Sequence, residues 1–169
     1  MPDSCALLAR AELLLAKGEF QQAAAEAQRS SVDFASAHLN EKSAMALVTE
    51  ADALEMLGRD SDSLRACQDA EQKAARIPNP LPVLLAHLTA WSLTGDSDAS
   101  VPADLHAKVA SLSNPELSLR EDFDRAMHAK RTARPDANRL FQALANRAAN
   151  QGYLTLSRRA SKLAAPPVN

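Results

Sequence analysis

Residues 11–20 read Ala11-Glu12-Leu13-Leu14-Leu15-Ala16-Lys17-Gly18-Glu19-Phe20, an apolar run, a glycine, and the aromatic that opens the next run. Glycine reaches left-handed backbone angles at no steric cost and so ends helices. Similar punctuation recurs at Gly58, at Gly95 and, with alanine instead of glycine, at Ala133, giving spacings of 40, 37 and 38 residues. Measured back from each glycine, Leu7, Ala11 and Leu14 correspond to Leu47, Ala51 and Leu54, and then to Leu84, Leu88 and Trp91. Apolar residues three to four apart mark one face of a helix. Their recurrence predicts a repeated helical hairpin.

Composition supports the same fold class. The 169 residues hold only 4 glycines and 4% aromatics, and no run is rich in Val, Ile and Thr. Alanine and leucine, which are abundant, lose little on entering a helix, so the expectation is all-α. The net charge of −2 hides an asymmetry: 8 Lys or Arg face 13 Asp or Glu through Pro80, against 10 and 5 from Glu116 onward. A solvated helix face is the plain reading of such a split; steering of partners or head-to-tail self-association is the sharper one. Cys5 and Cys67 have no paired spacing, and no signal peptide is recognisable, so nothing points to an oxidising compartment. Apolar runs such as 13–16 and 81–86 fall far short of the ~20 residues that span a membrane. A cytoplasmic location is expected.

Taken in order, the chain reads as hairpins over about 3–37, 41–76, 81–112 and 116–150, followed by a capping helix over 153–164. Together they make a single helical-repeat domain, 1–164, with a frayed tail at 165–169. In the second helix Ala23, Ala27, Ser30 and Phe34 share a stripe whose small residues let two helix axes come close. Pro78 and Pro80 stop the fourth helix, and the segment 95–102 reads as a loop. Leu64, Cys67 and Ala70 or Ala74 point inward from the fourth helix. Leu119, Phe123, Ala126 and Met127 do so from the seventh, and Leu140, Leu144 and Ala148 from the eighth.

A turn glycine with an aromatic two residues on, a small residue five beyond, and a Leu–small–Leu stripe before it resembles the tetratricopeptide repeat. Ala11, Gly18, Phe20 and Ala23 carry the likeness best; in the second unit Ala51, Gly58 and Ser63 match, while Asp60 stands where the family favours an aromatic. The long spacing is similar to divergent repeats at the C-terminal end of bacterial multidomain regulators, after a kinase or winged-helix domain, and the chain would be an excised or free-standing part of one. The resemblance implies a right-handed α-solenoid of about four antiparallel hairpins with a C-terminal cap. It also implies a concave groove lined by the first helix of each hairpin: Leu8, Glu12 and Leu15; Val48, Asp52 and Glu55; Leu85, Thr89 and Ser92. Such a groove, acidic along one side, would take a peptide or partner helix with Lys or Arg flanking apolar residues.

Nothing assembles a reaction centre in the sequence. His38, His87, His106 and His128 lie far apart without a second ligand at metal spacing, and Glu121, Asp122 and Asp124 read as a solvated carboxylate patch. No phosphate loop, nucleophile elbow or Cys–His motif occurs. The basic residues 130–134, with Arg139, Arg147, Arg158, Arg159 and Lys162, have only Phe141 and Tyr153 as aromatic neighbours, a poor pattern for nucleic acid. The function expected is therefore a non-enzymatic protein-interaction scaffold without cofactor or metal. Its rivals are a small-molecule sensor with a pocket around Trp91 and Pro102, and a self-association domain.

Overall fold

A computed structural model describes residues 2–94 and 100–165. Its elements are α1 (Pro2–Lys17), α2 (Phe20–Ser36), α3 (Asn40–Met56), α4 (Asp60–Ala74), α5 (Leu81–Ser92), α6 (Ala103–Ser111), α7 (Pro115–Arg131), α8 (Ala137–Asn150) and α9 (Leu154–Ala164). No strand occurs among the described residues, so the all-α expectation stands. No described helix is long and apolar enough to cross a membrane. The turn expected at Gly95 and most of the expected tail lie outside the described residues.

The turns share one geometry at half the predicted spacing. Positive φ angles occur at Gly18, His38 and Gly58, and again at Ser113, Ala133 and Gly152, every 19 or 20 residues within each set. At five of these six the residue after the left-handed one donates its N–H to the carbonyl five positions back: Glu19 to Leu14, Leu39 to Phe34, Arg59 to Leu54, Arg134 to Ala129 and Tyr153 to Ala148, all at 2.8–2.9 Å. That bond satisfies a carbonyl which the helix end would otherwise leave open. The glycines therefore mark only some of a series of equivalent turns, with histidine and alanine serving elsewhere.

The helices gather into two compact units, residues 1–90 and 91–169. In the first, α2 packs on α1 and on α3, α3 packs on α4, and α1 also touches α3. Leu14, Ala23, Leu47, Ala51, Leu54, Cys67 and Ala70 join in its core. Alanine brings the axes close enough for side chain to meet backbone. The Ser43 hydroxyl donates to the Ser31 carbonyl at 3.0 Å, Ser63 to Ala51 at 2.8 Å, and Ser30 to Ser4 at 2.8 Å. Ser43 and Ser63 both stand five residues beyond a left-handed turn residue.

The second unit is built on larger side chains. Here α7 packs on α6 and α8, and α8 on α9. Phe123 and Phe141 meet edge to face at 6.2 Å, with the Arg159 guanidinium 4.3 Å over the Phe123 ring. Asn114 caps α7, its Oδ1 accepting from the Glu116 and Leu117 amides, with Pro115 in the first turn. Along α8 the buried positions are Ala137, Phe141, Leu144, Ala145 and Ala148, while Leu140 is only half-buried. The predicted stripe thus turns by one residue, because the phenyl ring of Phe141 fills the core that Leu140 was expected to reach.

Candidate functional site

A cleft of about 360 Å³ lies in the first unit where α2 and α4 flank α3. Its floor is Leu47, Glu50 and Leu54, one face of α3. The walls are low because Ala24, Ala25 and Ala66 stand where longer side chains would fill the space. Val32, 60% exposed, adds an apolar edge from α2.

Charge is distributed unevenly around this cleft. Asp62 accepts from Arg59 Nε at 2.9 Å and Nη2 at 2.7 Å, and Arg65 approaches its other oxygen at 3.6 Å. Two arginines therefore converge on one carboxylate. Glu50 and Asp69 make no hydrogen bond or ion pair among the described residues. Burial pushes the Glu50 carboxyl up to about 7; Asp69 adds to the rise, Arg59 opposes it, and Asp62 adds again. Near neutral pH the cleft thus holds a carboxyl that a nearby cation would ionise.

The residues predicted to line a groove are placed differently. Glu12 alone among the nine is exposed; Leu8, Leu15 and Leu85 are half-buried. Val48, Asp52, Glu55, Thr89 and Ser92 are buried, and the Thr89 hydroxyl donates to Asp52 Oδ1 at 3.3 Å. Val48, Asp52 and Glu55 lie on the face of α3 turned away from Leu47, Glu50 and Leu54. The acidity of the cleft accordingly lies on Glu50 and Asp69 rather than on Asp52 and Glu55. Sequence periodicity marked Leu47 and Leu54 as core, but only the facing of three helices makes them a floor.

The second unit corrects another reading. Glu121 and Asp124, taken as solvated surface, are 4% and 0% exposed. Arg120 Nε donates to Asp124 at 2.7 Å, Arg125 to Glu121 at 3.2 Å, and His106 Nδ1 lies 2.7 Å from Glu121. Arginines one turn away on the same helix offset the cost of burying these charges. His128 is fully buried and stacks on Trp91 at 4.6 Å. Of the sensor pocket expected near Trp91 and Pro102, the indole is thus covered on one face by His128, and 95–99 fall outside the described residues.

Much of the basic run is engaged internally. Arg131 donates to the Ser92 carbonyl at 2.9 Å, Arg134 pairs with Asp136 at 2.7 Å, and Arg147 pairs with Asp122 and donates to Ser118. Arg158 and Lys162 remain exposed on α9. Among the described residues no group of three or more His, Cys, Asp or Glu could hold a metal ion. Comparison with protein-family models, curated proteins and solved structures finds no match for this chain.

Proposed function

We propose that the chain is a tetratricopeptide-like helical-repeat module that works without catalysis, holding a segment of another protein chain in the cleft between α2, α3 and α4. The observation that carries this reading is the cleft itself, an apolar floor of Leu47 and Leu54 beside the carboxyls of Glu50 and Asp69, which lack ion-pair partners. Leucine floors accept apolar side chains, and unmatched carboxyls favour a lysine or arginine next to them. The preferred ligand is an apolar segment carrying cations. Recurrent left-handed turns and the touch of α1 on α3 support the hairpin-stacking side of the reading.

Selection from a random peptide library on the purified chain tests it. Enrichment of peptides that combine Lys or Arg with Leu, Ile or Phe is expected, together with loss of that enrichment in a Glu50→Lys/Asp69→Lys variant of unchanged helicity. No enrichment, or equal capture by the variant, would remove the cleft from consideration.

A further inference from the structure

We propose that the cleft of one copy receives the exposed stripe of α9 from a second copy, so that the chain associates head to tail. This inference rests on the cleft being a protein-docking face and adds the identity of the occupant.

The stripe is visible in the burial of α9. Ala160 is buried, whereas Leu154, Arg158, Ser161 and Lys162 are exposed and fall on one side of the helix at spacings of four, three and one. Leu154 is 57% exposed, an apolar side chain beside two cations. Neither Arg158 nor Lys162 makes a hydrogen bond or ion pair among the described residues, unlike the paired arginines of α7 and α8. No acidic residue follows Asp136, so nothing on α9 or α8 competes for those cations. The exposed Leu13 and Lys17 of α1 offer a similar spacing, but Glu12 and Glu19 stand beside them.

The cleft's own cations, Arg59 and Arg65, are drawn to Asp62, and its two other carboxyls match the stripe. Glu50 and Asp69 supply two unmatched carboxyls, and Arg158 and Lys162 two unmatched cations one turn, or about 6 Å, apart along their helix. Val32, Leu47 and Leu54 supply apolar surface for Leu154. A volume of about 360 Å³ is too small to swallow a helix, so the side chains of one stripe enter while the helix backbone stays at the mouth. Because the two surfaces differ, each contact leaves one cleft and one stripe available, and growth need not stop at a dimer.

Sedimentation of the full chain over a concentration series at low and high salt provides the first measurement. Association that strengthens with concentration and weakens with salt is expected, and a chain monomeric throughout overturns the inference. Glu50→Lys/Asp69→Lys and Arg158→Ala/Lys162→Ala should each weaken self-association about tenfold. Mixed one to one, they retain a single intact contact, the α9 of the first variant in the cleft of the second, and should form a heterodimer that grows no further. Self-association untouched by both variants, or a mixture without heterodimer, also overturns it. If the wild-type chain stays monomeric yet the cleft still selects basic apolar peptides, the occupant is wrong and the docking reading stands. If both fail, both readings fall.

Discussion

Asp124 in the second unit is wholly buried against Arg120 at 2.7 Å, whereas Asp69 in the first stands at a cleft with no ion-pair partner. The unit richer in carboxylates leaves Glu50 and Asp69 without a hydrogen bond or ion pair; in the unit richer in cations Arg120, Arg125, Arg134 and Arg147 are tied to acids. Net charge of the chain segments, near −5 and +5 by sequence, therefore says little about which charges are available. A complementary residue one turn away on the same helix pairs with Asp124 (Arg120) and with Glu121 (Arg125), whereas Asp69, with Arg65 and Lys73 four positions to either side, pairs with neither, Arg65 being drawn to Asp62 instead. Glu50 has no such neighbour, and its carboxyl is held near a pKa of about 7 as a result of burial beside Asp69.

The sharpest way to break this comparison is to remove one acid from each unit. Asp124→Ala should cost about 3 kcal/mol, because Arg120 is left largely buried without its carboxylate. Urea denaturation followed by the fluorescence of Trp91, the single tryptophan, reports it. Asp69→Ala should change stability by less than about 0.5 kcal/mol, read from helical circular dichroism. Equal losses would mean that the two carboxylates are not differently placed.

A smaller effect tests Glu50. Its folded pKa lies above the ordinary value of 4.5, so its contribution is fully present below that pH and lost as pH rises through about 7. Glu50→Gln should match the wild type at pH 4 and exceed it by about 1 kcal/mol at pH 8, a figure reduced by solvent screening. Urea midpoints at the two pH values check it, and a constant difference between them would contradict the assignment.

The smallest effect concerns the turns, where the two units should behave alike. Ala133 holds φ at 53° and Gly58 at 71°, and a Cβ on Gly58 would meet nothing within 4 Å. Ala133→Gly should raise stability by up to about 1 kcal/mol and Gly58→Ala lower it by a similar amount. Thermal melts that move in the same direction for both would show that something other than backbone angle governs these turns.

The fold was largely legible because its signal is local. The stripes Leu47–Ala51–Leu54 and Ala23–Ala27–Ser30–Phe34 are buried as their spacing predicts, the breaks at 38–40 and 113–115 run up to the first residues of α3 and α7, and 133 falls between helices. That His38 and Ala133 adopt the same angles as the glycines was hidden, since neither residue advertises a left-handed turn. The cleft was hidden for a different reason. Ala24, Glu50 and Asp69 lie on three helices and share no period, so only their facing brings them together. Burial of Asp52 and Glu55 also contradicts the residue type, which alone would place both in solvent.

The bond from Glu19 to Leu14, repeated at four other turns, closes a loop of only a few residues. Within each unit a helix packs chiefly on its neighbour in sequence. Little chain entropy stands between an extended strand of sequence and its first hairpin, because loop closure costs grow with the length closed. Low contact order of this kind goes with folding in microseconds to milliseconds. A nascent chain leaving the ribosome could seal each hairpin as it emerges, with Gly18, His38 and Gly58 acting as successive ratchet points.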